Sequence, residues 1–353
     1  MSNPIYLVSV ESAGKTALSV ALGQNLLEKG RKVGYFIPVE ISTGQENEKY
    51  RDANFVKEVL NLADSVGKIS PIHLSAAELW KTLTENGDEF LRGVKDNYNQ
   101  IARDRDVVLI EGINGLVVDG VATLACYKVA ETLKAKVIVV LRYSDNLHIS
   151  LLDRIRVELG GSLAGVIINF VPADKMEKVK IDLVKKFEAI GVKVLALIPE
   201  NRELLGVTVA ELAKNLGGEI VTARDKTSKM VENVMLGALS LDSGTSYLSR
   251  KNNKAVIVRS ERADIQLAAL ETSVACLVLT GNTPPIYQVV NQAEDKQVPV
   301  LVVHRDTEKV INDLEKTLIN SAFNNRQKIT KFQQLIKQST DFKVLYQAVG
   351  LAG

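Results

Sequence analysis

The chain has 353 residues, 46% hydrophobic and 24% charged, with a formal net charge of +2. That composition suits two globular cores, and the near-neutral balance argues against a general nucleic-acid binder or a membrane-surface binder. The cysteines Cys126 and Cys276 lie far apart, and the histidines His73, His148 and His304 form no cluster in sequence. Buried free thiols in a reduced, cytoplasmic setting and structural imidazoles are therefore expected, with no membrane span and no signal sequence.

Residues 5–10, IYLVSV, read as a buried strand, and Leu18, Ala21, Leu22 and Leu26 mark a helix after it. Between them runs SVESAGKT. A strand, a tight loop, Gly-Lys-Thr and a helix form the layout of a phosphate-binding P-loop. The amides of Ser12, Ala13 and Gly14 and the start of the helix would then converge on an anion. Lys15 would reach the terminal phosphates and the Thr16 hydroxyl would ligate magnesium, so ATP and Mg2+ are the expected ligands. The strict pattern has glycine where Ser9 stands, five residues before Gly14. A non-glycine there needs a negative φ, so the loop is expected to take a variant path.

Further strands are expected over 33–37, 107–110, 137–141, 164–169 and 192–198, with a polar loop over 40–52 and one long helix over 76–103. Short apolar strands alternating with helices predict an α/β fold: a P-loop NTPase-like, mostly parallel sheet covered by helices on both faces. Ligands of such sheets sit beyond the carboxyl ends of the strands, where Lys15, Glu111 and Asn169 all fall. Glu111 either holds magnesium, directly or through water, or is a solvated strand-end carboxylate. Asp52 is a second candidate for the same ion, with an ordinary surface carboxylate as the alternative.

The order SVESAGKT, GYFIPV, VVLIEG, SDNLHISLL, GVIINFVP and LALIPEN, over residues 4 to about 215, resembles dethiobiotin synthetase-like P-loop proteins. It is most similar to the branch with a loop like S-T-E-x-x-x-G-K-[ST], found as the amino-terminal domain of long bacterial phosphate acetyltransferases. In that branch the first glycine is usually missing. The resemblance implies that Lys15 and Thr16 bind phosphate and magnesium, Glu111 the metal, and Asn169 with the Pro199 loop the adenine. Dethiobiotin synthetases carry a lysine before the proline of the second strand, and Ile37 stands there instead. An aliphatic side chain cannot stabilise reacting carboxylate or phosphoryl charge. Glu40 and Glu46 in the adjoining loop would repel a carboxylate unless metal-bound, and the alternative is that Lys49 reaches in from the loop and restores the charge missing at Ile37.

From about residue 218 the chain turns glycine-rich and polar, which suits a boundary, so domains are expected over 1–217 and 218–353. Strands over 255–259, 275–280 and 298–303 alternate with helices over 264–272, 285–296 and 307–317, ahead of a helix and polar tail over 324–353. This smaller α/β unit resembles the DRTGG domain through RSERADIQLAAL, LVLTGNTPP and VPVLVVHRDT, although the name-giving string is replaced by SERAD at 260–264. Arg262 there either meets a phosphate or pairs with a surface carboxylate. The resemblance implies a regulatory module, and contacts between chains are expected of it. The chain as a whole is expected to be an ATP- and magnesium-binding regulator or slow ATPase. Alternatives are a dethiobiotin synthetase-type ligase and a non-enzymatic partner in acetyl-phosphate metabolism. No catalytic residue is assigned. Acetyltransferase activity is not expected, since the sequence stops at 353 without the catalytic domain.

Overall fold

Runs such as Ile5–Val8, Val107–Ile110 and Val137–Leu141 are buried along their whole length. Such strands need cover on both faces, which a parallel sheet between helices supplies. The computed structural model describes residues 2–42, 50–116, 120–145, 147, 149–238, 241–319 and 326–351. Contacts divide the chain into two units, residues 1–200 with 323–353, and residues 201–322.

The first unit contains β1 (Asn3–Ser9), β2 (Val33–Phe36), β3 (Glu40–Ile41), β4 (His73–Leu74), β5 (Val107–Asn114), β6 (Lys136–Arg142), β7 (Leu163–Val171) and β8 (Val194–Pro199). A six-stranded parallel sheet runs in the order β2-β5-β1-β6-β7-β8, while β3 and β4 pair separately. The chain leaves β1 between β5 and β6 and enters α1 (Lys15–Glu28). That is the point at which strand order diverges, where parallel sheets open a crevice for ligands. The helix α1 buries Ala17, Leu18, Val20, Ala21, Leu22 and Leu26, more than the single face the sequence pattern marks. Helix Arg51–Leu60 covers part of it, with Leu60 against Gly23, and the carboxyl-terminal segment covers another part. Lys337 Nζ meets Glu28 Oε2 at 2.8 Å, and Tyr346 donates to Asn25 Oδ1 at 2.6 Å.

The second unit contains β9 (Val207–Thr208), β10 (Glu219–Ile220), β11 (Met230–Val231), β12 (Asn233–Leu236), β13 (Lys254–Arg259), β14 (Val274–Thr280) and β15 (Val300–Val303). Its sheet runs β10-β15-β14-β13-β12, parallel except for the antiparallel β10. Ala255 and Ile257 join one apolar layer with Leu212, Leu216, Val310 and Leu314. Val256 and Val258 join the opposite layer with Ile265, Leu270, Val289 and Ala293. The two-residue period of a strand divides one continuous apolar run between two cores.

Several boundaries differ from those read in the sequence. The division at 217/218 falls inside the second unit, because helix Val209–Leu216 supplies one of its core layers. The carboxyl-terminal segment forms two helices, Arg326–Ser339 and Phe342–Ala348, and belongs to the first unit. The long helix expected over 76–103 is two, Ala76–Glu85 and Gly87–Ala102, broken at Asn86 with φ −133° and ψ 34°. The loop over 40–52 includes β3 and the start of helix Arg51–Leu60. Both cysteines are free and buried, and burial pushes each thiol up to about 12. Among the described residues no helix is long and apolar enough to cross a membrane. Glu46, Lys49 and His148 lie outside the described residues.

These boundaries lead to a test of autonomy. A fragment of residues 201–322 is expected to fold, with Thr208 and Glu211 capping its first long helix through a reciprocal capping box. A fragment starting at 218 loses Val207, Val209, Leu212 and Leu216 from its core. Loss of each buried leucine costs about 2–5 kcal/mol, against roughly 5–15 kcal/mol for a whole domain. Circular dichroism with urea titration should show cooperative unfolding in the first fragment and none in the second.

Candidate functional site

Strand β1 ends at Ser9, and the loop over 10–14 carries the chain to α1 through Gly14, at φ 86° and ψ 32°. That left-handed conformation favours glycine. Ser9 has no positive φ and is the last residue of its strand, in register with Asn114 on one side and Val140 on the other. Lys15 folds back over the loop and donates to Ser9 Oγ at 2.9 Å and to Asn114 Oδ1. Ser9 Oγ itself donates to Asn114 Oδ1 at 3.0 Å. The serine that breaks the glycine pattern therefore helps to seat the lysine.

A register shift makes this arrangement possible. Leu7 pairs with Glu111, but Ser9 pairs with Asn114, so β5 has one more residue than β1 over the same span. The extra residue of a bulge re-aims side chains. Gly112 sits within it, where a Cβ would lie 2.9 Å from Tyr6 Oη and 3.0 Å from Val8 Cγ1.

Glu111 is a buried carboxylate inside β5, not a solvated residue past the strand end. Thr16 Oγ1 donates to its Oε1 at 2.8 Å, while Tyr35 Oη at 2.6 Å and Ser19 Oγ at 3.4 Å donate to its Oε2. Burial pushes the Glu111 carboxyl above its ordinary value, and Lys15 pulls it back. Burial draws the Lys15 ammonium down, opposed by Glu111 and Asp52. Tyr35 is held well above its ordinary value by burial and by the negative charge of Glu111, so its hydroxyl remains a donor. Asp52 lies in the first turn of helix Arg51–Leu60, half-exposed, with Arg51 Nε at 3.7 Å, and its charge is felt by Lys15, Tyr35 and Glu111. Glu40 accepts from Ser70 Oγ at 2.7 Å and lies 3.4 Å from His73 Nδ1.

Lys15, Thr16, Glu111 and Asp52 are thus brought into one electrostatic neighbourhood. Asn169 reaches the loop from β7, its Nδ2 donating to the Ala13 carbonyl at 2.9 Å. Pro199 ends β8 beside Val171. Ser12 is exposed on the loop, and Ala13 is buried. Ile37 is buried, with its backbone N–H on the Ile69 carbonyl at 2.7 Å. In the second unit Arg262 takes the ion-pair alternative, with Nε 2.9 Å from Asp264 Oδ1 and its NH2 nitrogen 2.7 Å from Oδ2. The sequence reading missed Ser19, Tyr35 and Asn114. The available signal was Gly112 inside an otherwise regular strand, which marks a bulge.

The model of the AAA_26 family, described as an AAA domain, matches residues 4–208, and that of the DRTGG domain matches residues 211–317. The phosphate acetyltransferase of Haemophilus influenzae is 23% identical over 376 residues, covering 96% of this chain and 52% of that protein. That of Nitratidesulfovibrio vulgaris is 24% identical over 367 residues, covering 97% and 51%. The chain spans about half the length of the curated relatives it matches. Among solved structures, the CBS and DRTGG domains of the regulatory region of Clostridium perfringens pyrophosphatase, complexed with the activator diadenosine tetraphosphate, align with a TM-score of 0.28. The identity is 14%, over 41% of this chain and 71% of that one, a likeness too slight to bear on fold or ligand.

The bulge can be tested on its own. Gly112→Ala places a methyl group against the buried Tyr6 ring and Val8. Overpacking of this kind costs about 1–3 kcal/mol. Urea denaturation should show that loss, with Gly93→Ala, on an open helix surface, unchanged or slightly stabilised.

Proposed function

We propose that this chain, which belongs to the AAA_26 family of AAA domains and carries a DRTGG domain, binds ATP with magnesium and acts as a nucleotide-responsive regulator or slow ATPase. The reading is carried by one observation: Lys15 is folded back to the end of β1, next to a 2.8 Å contact between Thr16 and Glu111. Its buried ammonium is a charge that a phosphate would stabilise, and the Glu111 carboxylate is one that a divalent cation would stabilise. The loop amides and the start of α1 supply further donors to an anion.

The donor set fits magnesium, which prefers hard oxygen ligands and keeps water and phosphate oxygens around it. Thr16 donates its proton to Glu111, which leaves the hydroxyl lone pairs for the ion. Thr16 would hold it directly, with Glu111 and Asp52 acting through water. An ion held there would supply positive charge that offsets the negative charge of the phosphates. Tyr35 and Ser19 would fix the Glu111 carboxylate, and Lys15 would hold the terminal phosphates. No side chain is assigned a catalytic role.

The curated relatives are phosphate acetyltransferases, and we extend from them only a setting, in which nucleotide occupancy regulates acetyl-phosphate metabolism. The reading includes a cytoplasmic, self-associating protein with no nucleic-acid partner, which sedimentation of the full chain would test for self-association. A dethiobiotin synthetase-type ligase is disfavoured by Ile37, which is aliphatic and buried.

Lys15→Ala should remove a charge-assisted contact, which at about 2 kcal/mol weakens ATP roughly thirtyfold in calorimetry with magnesium. Equal affinity in the variant and the parent would defeat the phosphate site. Mass spectrometry after incubation with diaminopelargonate, bicarbonate and ATP should find no dethiobiotin. Turnover at an ordinary enzyme rate would instead establish the ligase.

A further inference from the structure

Asn169 faces the loop more closely than a base-reading side chain needs to. Its side chain is buried, 4% exposed, and both ends of the carboxamide are engaged. Nδ2 donates to the Ala13 carbonyl at 2.9 Å, and Oδ1 accepts from the Phe170 N–H at 2.9 Å. The contact is built into the backbone on both sides. A Cβ at Gly14 would lie 2.9 Å from Asn169 Nδ2, so only glycine admits the amide at this distance without displacement. Phe170 has φ 60°, a conformation rare for a bulky residue, at a register shift between β7 and β8. The Arg142 guanidinium covers its ring at 4.1 Å.

A trans peptide is planar, with its carbonyl and N–H pointing in opposite directions. Anchoring the Ala13 carbonyl on Asn169 therefore turns the Gly14 N–H away from β7. A reversed peptide would exchange the donor on that side for a carbonyl oxygen, which repels an anion.

We propose that Asn169 is a positioning residue, a latch on the Ala13–Gly14 peptide that sets the loop amides for a polyphosphate, in place of the adenine-facing role that the resemblance implies. The choice of ligand rests on the nucleotide reading above, whereas the order of the loop does not.

The experiment uses the full chain and compares the parent with Asn169→Ala and Asn169→Asp. The aspartate can still accept from Phe170 but cannot donate to Ala13 at neutral pH. Calorimetry with magnesium measures ATP and inorganic tripolyphosphate, which has no base. Hydrogen exchange of residues 10–14 is followed without ligand. A latch predicts that Asn169→Ala weakens both ligands by the same factor, roughly three- to tenfold. It also predicts faster exchange in the loop of both variants, with β1 and β7 unchanged. Weaker ATP binding with unaltered tripolyphosphate binding would overturn the proposal in favour of base recognition. Unchanged loop exchange would overturn it too, as would unfolding of both variants, since one peptide's orientation is not required to form the sheet. If the parent binds neither ligand, the nucleotide reading fails, and the exchange data still decide the latch.

Discussion

A carboxylate removed from water must find its hydrogen bonds in the protein, and Glu111 finds them on separate elements: Thr16 and Ser19 on α1, and Tyr35 on β2. This requirement ties together the parts of the first unit that matter for phosphate chemistry. Placing β5 between β2 and β1 lets one side chain receive donors from both directions. Once Glu111 is fixed, the bulge after it carries Asn114 to the end of β1, where it meets Ser9 and Lys15. The lysine and the carboxylate, both desolvated, then each favour the other's charged form against burial. The electrostatic character of the loop thus comes from pairings between strands distant in sequence.

Much of this was legible in the amino-acid order. The apolar runs gave the central strands, because β-branched residues buried on both faces leave an uninterrupted signal. Gly-Lys-Thr after a strand located the loop, since its chemistry is local. Contacts set by register were harder to foresee. The role of Ser9 depends on Asn114, which lies opposite only because β5 bulges at Gly112. Asn169 was found as a strand-end residue near the ligand side, but its bond to Ala13 depends on the unusual backbone at Phe170. The break at Asn86 had a local sign, since Asn-Gly dipeptides mark turns, but the surrounding helical pattern outweighed it.

The carboxyl-terminal helix shows another limit of sequence patterns. Ile329, Phe332 and Ile336 recur at helical spacing and are buried, so an amphipathic helix is readable from these residues. Which core accepts that apolar face is not, because leucine-rich surfaces are alike to a pattern. In the structure the helix packs on α1 and β8, with polar contacts of Lys337 to Glu28 and Tyr346 to Asn25 at the far end of α1 from the phosphate loop.

The two-part first unit, residues 1–200 with 323–353, has a consequence for biosynthesis. A chain emerges from the ribosome amino terminus first, and domains generally fold as units. Here the strand and helix that flank the phosphate loop are made early, whereas the carboxyl-terminal helices that cover part of α1 are made after the whole of residues 201–322. The nascent first unit must wait with part of α1 uncovered while the second, continuous in sequence, can complete its own core. Order of synthesis and order of completion are therefore reversed between the two units.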